Sequence, residues 1–169
     1  MSVSFHILEI AEIVPETADA NSVRFEVPGD LREKFAFKAG QHLTLRATIG
    51  GEELRRNYSL CTAPAEGDWM VTVKRIAGGV FSNWIGDNLT AGDTIDVMPP
   101  HGSFTTEFAA PNERHIVAFA GGSGITPVMS LLKTTMREEP GSRFTLFYGN
   151  PDSSSVIFLG TPAGLKDKH

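Results

Sequence analysis

The sequence predicts an antiparallel β-barrel of Greek-key type carrying one short helix, followed by a partial α/β unit. Short stretches of alternating apolar and polar residues, bounded by glycine and proline, fill the chain to about Phe108. One segment among them has helical spacing instead. After Pro111-Asn112 the pattern changes to a compact apolar run, a glycine turn, a helical stretch and a second apolar run. Residues 1–110 are therefore expected to form the barrel, and 111–169 an incomplete α/β domain.

Taken in order, Phe5–Val14 reads as a strand of mixed facing. Val23–Val27 puts Val23, Phe25 and Val27 on one face and ends at Pro28-Gly29. A bend at Ala39-Gly40 leads into Gln41–Ile49, and Gly50-Gly51 is a hairpin turn into Glu52–Leu60. Trp69–Arg75 places Trp69, Val71 and Val73 on one side. Asp93–Met98 is expected to stop at Pro99-Pro100. The helix is Phe81–Leu89, with Phe81, Trp84, Ile85 and Leu89 at helical spacing. Several short strands with a single helix fit a Greek-key barrel better than a sandwich.

In the second part, His115–Ala120 reads as a parallel strand buried on both faces. The turn Gly121-Gly122-Ser123-Gly124 follows, then a helix to Arg137 with Thr126 as N-cap and Pro127 at its first position. Val128, Leu131 and Leu132 would face the sheet. Pro140-Gly141 ends the helix, and Arg143–Tyr148 is a second strand, completing one β-α-β unit. The remainder can hold a loop and a short helix near Pro162–Lys168. A doubly wound nucleotide domain normally has more strands than two.

A net charge of −5 argues against a broad hold on nucleic acid, which needs clustered Lys and Arg. The one cysteine, Cys61, precludes an internal disulfide or a multi-cysteine metal or iron–sulfur site. Met1–Ile13 lacks the basic start and apolar stretch of a signal peptide, and no apolar run is long enough to span a bilayer. A cytoplasmic protein with no membrane partner is expected. His42 and His101 lack metal-ligand spacing, so no metal site is expected. Cys61 reads as a small buried apolar residue.

Three segments carry candidate chemistry. In Arg56-Asn57-Tyr58-Ser59, strand alternation puts Arg56 and Tyr58 on one face. A guanidinium there can bond a pyrophosphate with two donors, while the phenol packs on an organic ring. The bland alternative is a solvated strand face. In Gly78-Gly79-Val80-Phe81-Ser82, glycines open a helix whose free N–H groups and positive dipole end suit an anion. The alternative is a loop with Ser82 as a cap. Gly122 and Gly124 lie in a strand-to-helix turn that can also seat an anion. Pro127 stands where a Rossmann fingerprint wants a third glycine. Ser153-Ser154-Ser155 is more often just a polar loop.

The order of these segments resembles the ferredoxin–NADP⁺-reductase superfamily. The resemblance runs through Arg56–Pro64, Val71–Arg75, Gly78–Trp84, Pro99–Phe104 and Ala118–Pro127. Within it, the chain looks most like reductases of the phenylacetyl-CoA epoxygenase group and flavohaemoglobin reductase domains. The resemblance implies bound FAD, reduced by NADPH or NADH and discharged to an electron acceptor such as an iron–sulfur domain or an oxygenase. It implies that Arg56 holds the pyrophosphate, Tyr58 packs on the flavin, and Ser59 lies near its reactive nitrogen. The backbone of Val73, Lys74 and Arg75 would meet the ribityl and adenylate part. Gly79, Val80, Phe81 and Ser82 would close over the diphosphate. Thr126 would lie beside flavin and nicotinamide, with Ser59 and Thr126 tuning the reactive ring. Related reductases often carry an arginine where Pro151 stands, so the resemblance does not choose between NADPH and NADH. It also implies a longer, C-terminally continued nucleotide domain than the 59 residues from 111 to 169 supply. The expectation is therefore a truncated form. Its open sheet edge would suit a homo-oligomer, and the alternative to a reductase is a non-catalytic FAD-binding or oligomerising module.

Overall fold

The computed structural model describes residues 4–160. The expected helix near 162–168 lies outside the described residues. Eight strands and two α-helices follow one another as β1 (His6–Thr17), β2 (Ala20–Glu26), β3 (His42–Ile49), β4 (Glu52–Ser59), β5 (Trp69–Lys74), α1 (Val80–Asn88), β6 (Thr94–His101), β7 (His115–Gly121), α2 (Ile125–Glu138) and β8 (Arg143–Gly149).

The first six strands form one antiparallel sheet in the order β4-β3-β6-β1-β2-β5. The late strand β6 sits between β3 and β1, which is the Greek-key crossing. The sheet rolls closed where Leu60, just past β4, bridges Val71 of β5 and the Cys61 N–H bonds the Met70 carbonyl at 3.0 Å. Alternation fills the interior: Leu43 and Leu45, Val23 and Phe25, Val71 and Val73 are all at most 3 % exposed. Helix α1 plugs one end, burying Phe81 and Ile85 with Trp84 and Leu89 packed alongside. Gly50 and Gly51 have φ of 60° and 85°, the two left-handed positions of a two-residue hairpin turn, and join β3 to β4 as expected.

Two strands run further than expected. β1 continues through Pro15 to Thr17, and β6 through Pro99 and Pro100 to His101. The β1–β6 ladder covers only His6–Glu9 and Thr94–Val97, so beyond it each strand has one unpaired side. Pro99 and Pro100, whose backbone nitrogens turn to opposite sides, also fall where the β3–β6 register shifts between His42 and Thr44.

The second sheet is the parallel pair β7-β8. Helix α2 covers one face of it and turns its other side to the barrel. Ile125, Val128, Met129 and Leu132 share a core with Ala20 and Cys61 of the first sheet's surround. Burial pushes the Cys61 thiol up to about 11, as an inert packed residue should show. The expectation that β7 is buried on both faces is corrected. Val117, Phe119 and Phe147 are exposed, with Phe119 and Phe147 stacked at 4.9 Å. The apolar run HIVAFA records hydrophobicity but not which face is covered.

α2 is tied to the barrel by Ser130, which has no exposed surface. Its Oγ donates to the Thr62 carbonyl at 2.6 Å and accepts from the Gly40 N–H at 3.4 Å. Ser130→Ala strands both partners, so it should cost about 2 kcal/mol in urea unfolding. An unchanged midpoint would show that water replaces the hydroxyl. No helix among the described residues is long and apolar enough to cross a membrane.

Candidate functional site

A cleft of about 510 Å³ opens where the end of β4, strand β5, the entrance to α1 and the turn before α2 meet. Its walls include Tyr58, Ser59, Lys74, Arg75, Ser82, Gly124 and Thr126. That size suits a small-molecule site. A second cavity of about 420 Å³ lies by His115, Pro140 and Arg143, at the N-terminal ends of β7 and β8. Open parallel sheets bind ligands at the opposite, C-terminal ends, where the first cleft lies.

From β4, Tyr58 and Arg56 point to the face that pairs with Leu43 and Leu45. Tyr58 is half-buried and stacks on Phe81 at 6.3 Å. Burial pushes its phenol up to about 12, with the Arg56 charge pulling the other way, so it stays neutral at ordinary pH. Arg56 stands exposed at the rim rather than in the cleft wall. Its Nη1 donates to the Arg55 carbonyl at 2.7 Å, and among the described residues it forms no ion pair. Ser59 faces the cleft beside Asn57, and its hydroxyl makes no hydrogen bond among the described residues.

Past Val71, the edge of β5 that faces β4 is unpaired and opens on the cleft. Lys74 and Arg75 line it, each beside a carboxylate: Lys74 Nζ is 3.5 Å from Asp19, and Arg75 Nη1 2.6 Å from Asp87. The Val73 side chain is 3 % exposed in the barrel core, so only its backbone can serve a ligand.

Gly79 caps α1, which starts one residue earlier than the spacing suggested and has no acidic residue in its first turn. A side chain at Gly79 would meet Ser82 Oγ at 2.9 Å and the Ile76 carbonyl oxygen at 3.1 Å. Ser82 Oγ in turn accepts from the Ile76 N–H at 3.3 Å. Val80 is exposed and Phe81 belongs to the core, so these two offer backbone rather than side chains. The resulting cradle of N–H groups beside cationic side chains fits an anionic diphosphate.

Across the cleft, Gly124, not Thr126, is the N-cap of α2. The short 3-10 turn Gly122–Gly124 is already helical at Gly124 (φ −62°, ψ −9°) and runs straight into α2, so Thr126 falls in the first turn, where its hydroxyl donates to the Ser123 carbonyl at 3.0 Å. Gly122 has φ of 49° and its carbonyl accepts from Tyr148 OH at 3.0 Å; it supports the turn from behind. The triple serine forms a turn capped by Asp152, whose carboxylate accepts from the Ser155 N–H at 2.9 Å.

Sequence reasoning missed Asn57, Thr72, Ile76, Ser123 and Pro127, which also line the cleft. Alternation along β5 puts Thr72 on the Lys74 face, a signal that was present. His42 and His101 prove to be neighbours, Nε2 to Nε2 at 2.9 Å, through the β3–β6 register. Among the described residues no group of three or more metal-binding side chains occurs.

The sequence profile of the oxidoreductase FAD-binding domain matches residues 7–106, and that of the oxidoreductase NAD-binding domain residues 119–169. A component of the 1,2-phenylacetyl-CoA epoxidase of Escherichia coli K12 is 45 % identical over 166 residues, 98 % of this chain and 47 % of that protein. The ferredoxin reductase component of 3-ketosteroid-9-alpha-monooxygenase from Rhodococcus rhodochrous is 42 % identical over 165 residues, 96 % of this chain and 46 % of its own length. Among solved structures, an Amycolatopsis cytochrome P450 reductase superposes with a TM-score of 0.83 at 25 % identity, covering 100 % of this chain and 50 % of that one. The chain thus spans about half the length of the curated relatives it matches. With the barrel, its cleft and the profile spanning residues 7–106 in agreement, the chain belongs to the oxidoreductase FAD-binding domain family, within the ferredoxin-reductase-like group.

Proposed function

We propose that this chain binds FAD in the cleft between β4, β5 and α1, and is the flavin-bearing part of a cytoplasmic reductase. Electrons would pass from NADPH or NADH to an acceptor such as an iron–sulfur domain or an oxygenase. The observation that carries this reading is convergence. Asn57, Tyr58 and Ser59 at the end of β4 and Ser82 in the first turn of α1 line one cleft, with the α2 turn as its far wall. On this reading the division of labour falls near residue 110, with FAD held by residues 1–110 and the nucleotide met by 111–169.

FAD, when bound, would supply the redox chemistry of hydride acceptance and one-electron release. The chain's own residues bind and orient. Arg56 would hold the diphosphate with its guanidinium, and the free N–H groups at the start of α1 would serve as further donors to it. Tyr58, neutral and braced by Phe81, offers a flat apolar face. Thr126 has spent its hydrogen on the Ser123 carbonyl and presents lone pairs only. Ser59 is therefore the hydroxyl placed to donate toward a ring nitrogen.

The second reading is a flavin-binding or oligomerising module without reductase activity. The exposed Phe119–Phe147 face on a two-stranded sheet favours it, since such a face suits burial against a second copy. Titration with FAD, followed by anaerobic addition of NADPH or NADH, decides between them. Binding followed by rapid bleaching supports the reductase. Binding without bleaching, with a dimeric mass, supports the module. A chain that leaves FAD absorbance and fluorescence unchanged sinks both.

A further inference from the structure

We propose that His42 and His101, brought face to face by a bulge in β6, form a two-imidazole site for a divalent transition-metal ion of square-planar preference, Cu(II) or Ni(II). The site lies outside the flavin cleft and stands independently of the flavin-binding reading.

The pair is made by register. Thr44 of β3 sits opposite Met98 of β6, so regular pairing would set His42 opposite Pro100. Instead the register shifts between His42 and Thr44, and His42 faces His101. One extra residue in β6 thus turns His101 onto the His42 face, as bulges re-aim side chains. Directly opposite residues share a face of the sheet, so the two rings meet above it. They lie 59 residues apart, and no sequence spacing shows them.

The two Nε2 atoms are 2.9 Å apart, with ring centroids at 4.0 Å and planes at 65°. Two imidazole nitrogens each about 2.05 Å from one ion stand about 2.9 Å apart at a right angle and about 3.3 Å apart at the tetrahedral angle. The observed separation matches neighbouring corners of a square, the arrangement that Cu(II) and Ni(II) favour over Zn(II).

The rings are also held as ligands. His101 Nδ1 lies 3.3 Å from the Pro99 carbonyl, to which it donates, and this leaves the Nε2 lone pair free. Metal-binding histidines are typically oriented by such a bond. The His42 ring lies against Gly102, which has a φ of 121° and where a side chain would come within 2.8 Å of Nδ1. Thr44 Oγ1 stands 3.5 Å from His101 Nε2 and spends its hydrogen on Asn57 Oδ1 at 2.7 Å, so it shows the pair only lone pairs. Without an ion, His42 carries its hydrogen on Nε2 and donates it to His101. With an ion, His42 takes the other tautomer, its hydrogen on Nδ1, and both Nε2 lone pairs face the metal without net loss of a proton. Water completes the coordination, since both rings are only half-buried. The cross-strand neighbours Ser59, Asn57 and Met98 carry no charge to oppose a cation. Ser59 and Asn57 also line the flavin cleft, so the ion would stand next to it on the same sheet face.

The test titrates the full chain with NiCl₂, CuSO₄ and ZnCl₂ by calorimetry at about pH 7.5, above the ordinary imidazole pKa. One Ni(II) should bind per chain with a dissociation constant on the order of micromolar, and Zn(II) should bind more weakly. His42→Asn and His101→Asn should each weaken Ni(II) at least about tenfold, and either variant suffices if the other folds poorly. His6→Asn, His115→Asn and His169→Asn should leave Ni(II) affinity unchanged. Ni(II) should also raise the thermal midpoint of the parent but not of the His42 and His101 variants, because only the folded sheet brings the two rings together. Unchanged Ni(II) affinity in both variants, Zn(II) bound more tightly than Ni(II), or no saturation below about 1 mM Ni(II) in the parent would each overturn the site and leave a hydrogen-bonded imidazole pair.

Discussion

Arg56→Ala should weaken FAD binding about a hundredfold while leaving stability unchanged. The stability half follows from the side chain's surroundings. Arg56 is exposed and spends one donor on the neighbouring Arg55 carbonyl, with no carboxylate beside it among the described residues. A surface side chain of that kind contributes within about 0.5 kcal/mol to folding. The binding half follows from what an unpaired guanidinium can do at the rim of a diphosphate seat. Two charge-assisted hydrogen bonds to phosphate are worth about 2–3 kcal/mol, and 1.4 kcal/mol is tenfold. Arg56→Lys keeps a point charge without the fork and should recover part of the loss. High salt should narrow the gap between parent and variant, since the contact is exposed to screening. FMN carries a phosphate at the same end of the flavin, so its affinity should fall too. A shift smaller than threefold for FAD at low salt would place the diphosphate elsewhere.

The barrel was legible because its information is local. Alternation in Val23–Val27 and Trp69–Val73 and the Gly50-Gly51 turn each specify their own strand or hairpin. What escaped needs a partner to be seen. The passage of β6 through Pro99-Pro100 depends on the β1 ladder stopping at the His6–Val97 pair and on the register shift between His42 and Thr44 of β3. The uncovered face of β7 depends on what lies over it. The cap of α2 fell on Gly124 because backbone geometry outranked the side-chain preference that pointed to Thr126. The site was legible in its anchors: Tyr58, Ser59, Lys74, Arg75, Ser82, Gly124 and Thr126 come to one cleft from four separate segments. Val73 turns inward through the alternation of β5, and Phe81 because it lies on the face of α1 that plugs the barrel core. The His42–His101 pair and the Ser22–Thr72 hydroxyl contact at 2.8 Å come from residues 59 and 50 apart in sequence, linked only by register.

Glu139 shows the same limit at its strongest, and carries the largest expected effect on stability. Before Pro140-Gly141 it reads as an ordinary surface charge at a helix end. In the fold it has no exposed surface. Segment 109–114, which leads from the barrel into β7, wraps over it. Arg114 donates from Nε at 2.9 Å and from Nη2 at 2.7 Å, Asn112 Nδ2 at 2.7 Å, Ser142 Oγ at 2.9 Å and the Ala109 N–H at 3.3 Å. Burial alone would push the carboxyl up. The donors from Arg114, Asn112, Ser142 and Ala109 outweigh it and hold the group at about 2. Against an ordinary value of 4.5 that gap is worth about 3 kcal/mol, trimmed to about 2 because the carboxylate lies only just beneath the surface. The folded carboxyl is lowered, so its contribution is complete above pH 4.5 and drains away as pH falls toward 2. Glu139→Gln keeps the shape and loses the charge. It should therefore destabilise the protein by about 2–3 kcal/mol at pH 7, and the difference from the parent should shrink by more than half by pH 3. Urea unfolding at the two pH values measures both. A deficit that stays constant with pH would mean that packing, rather than the ionised carboxylate, joins the linker to α2.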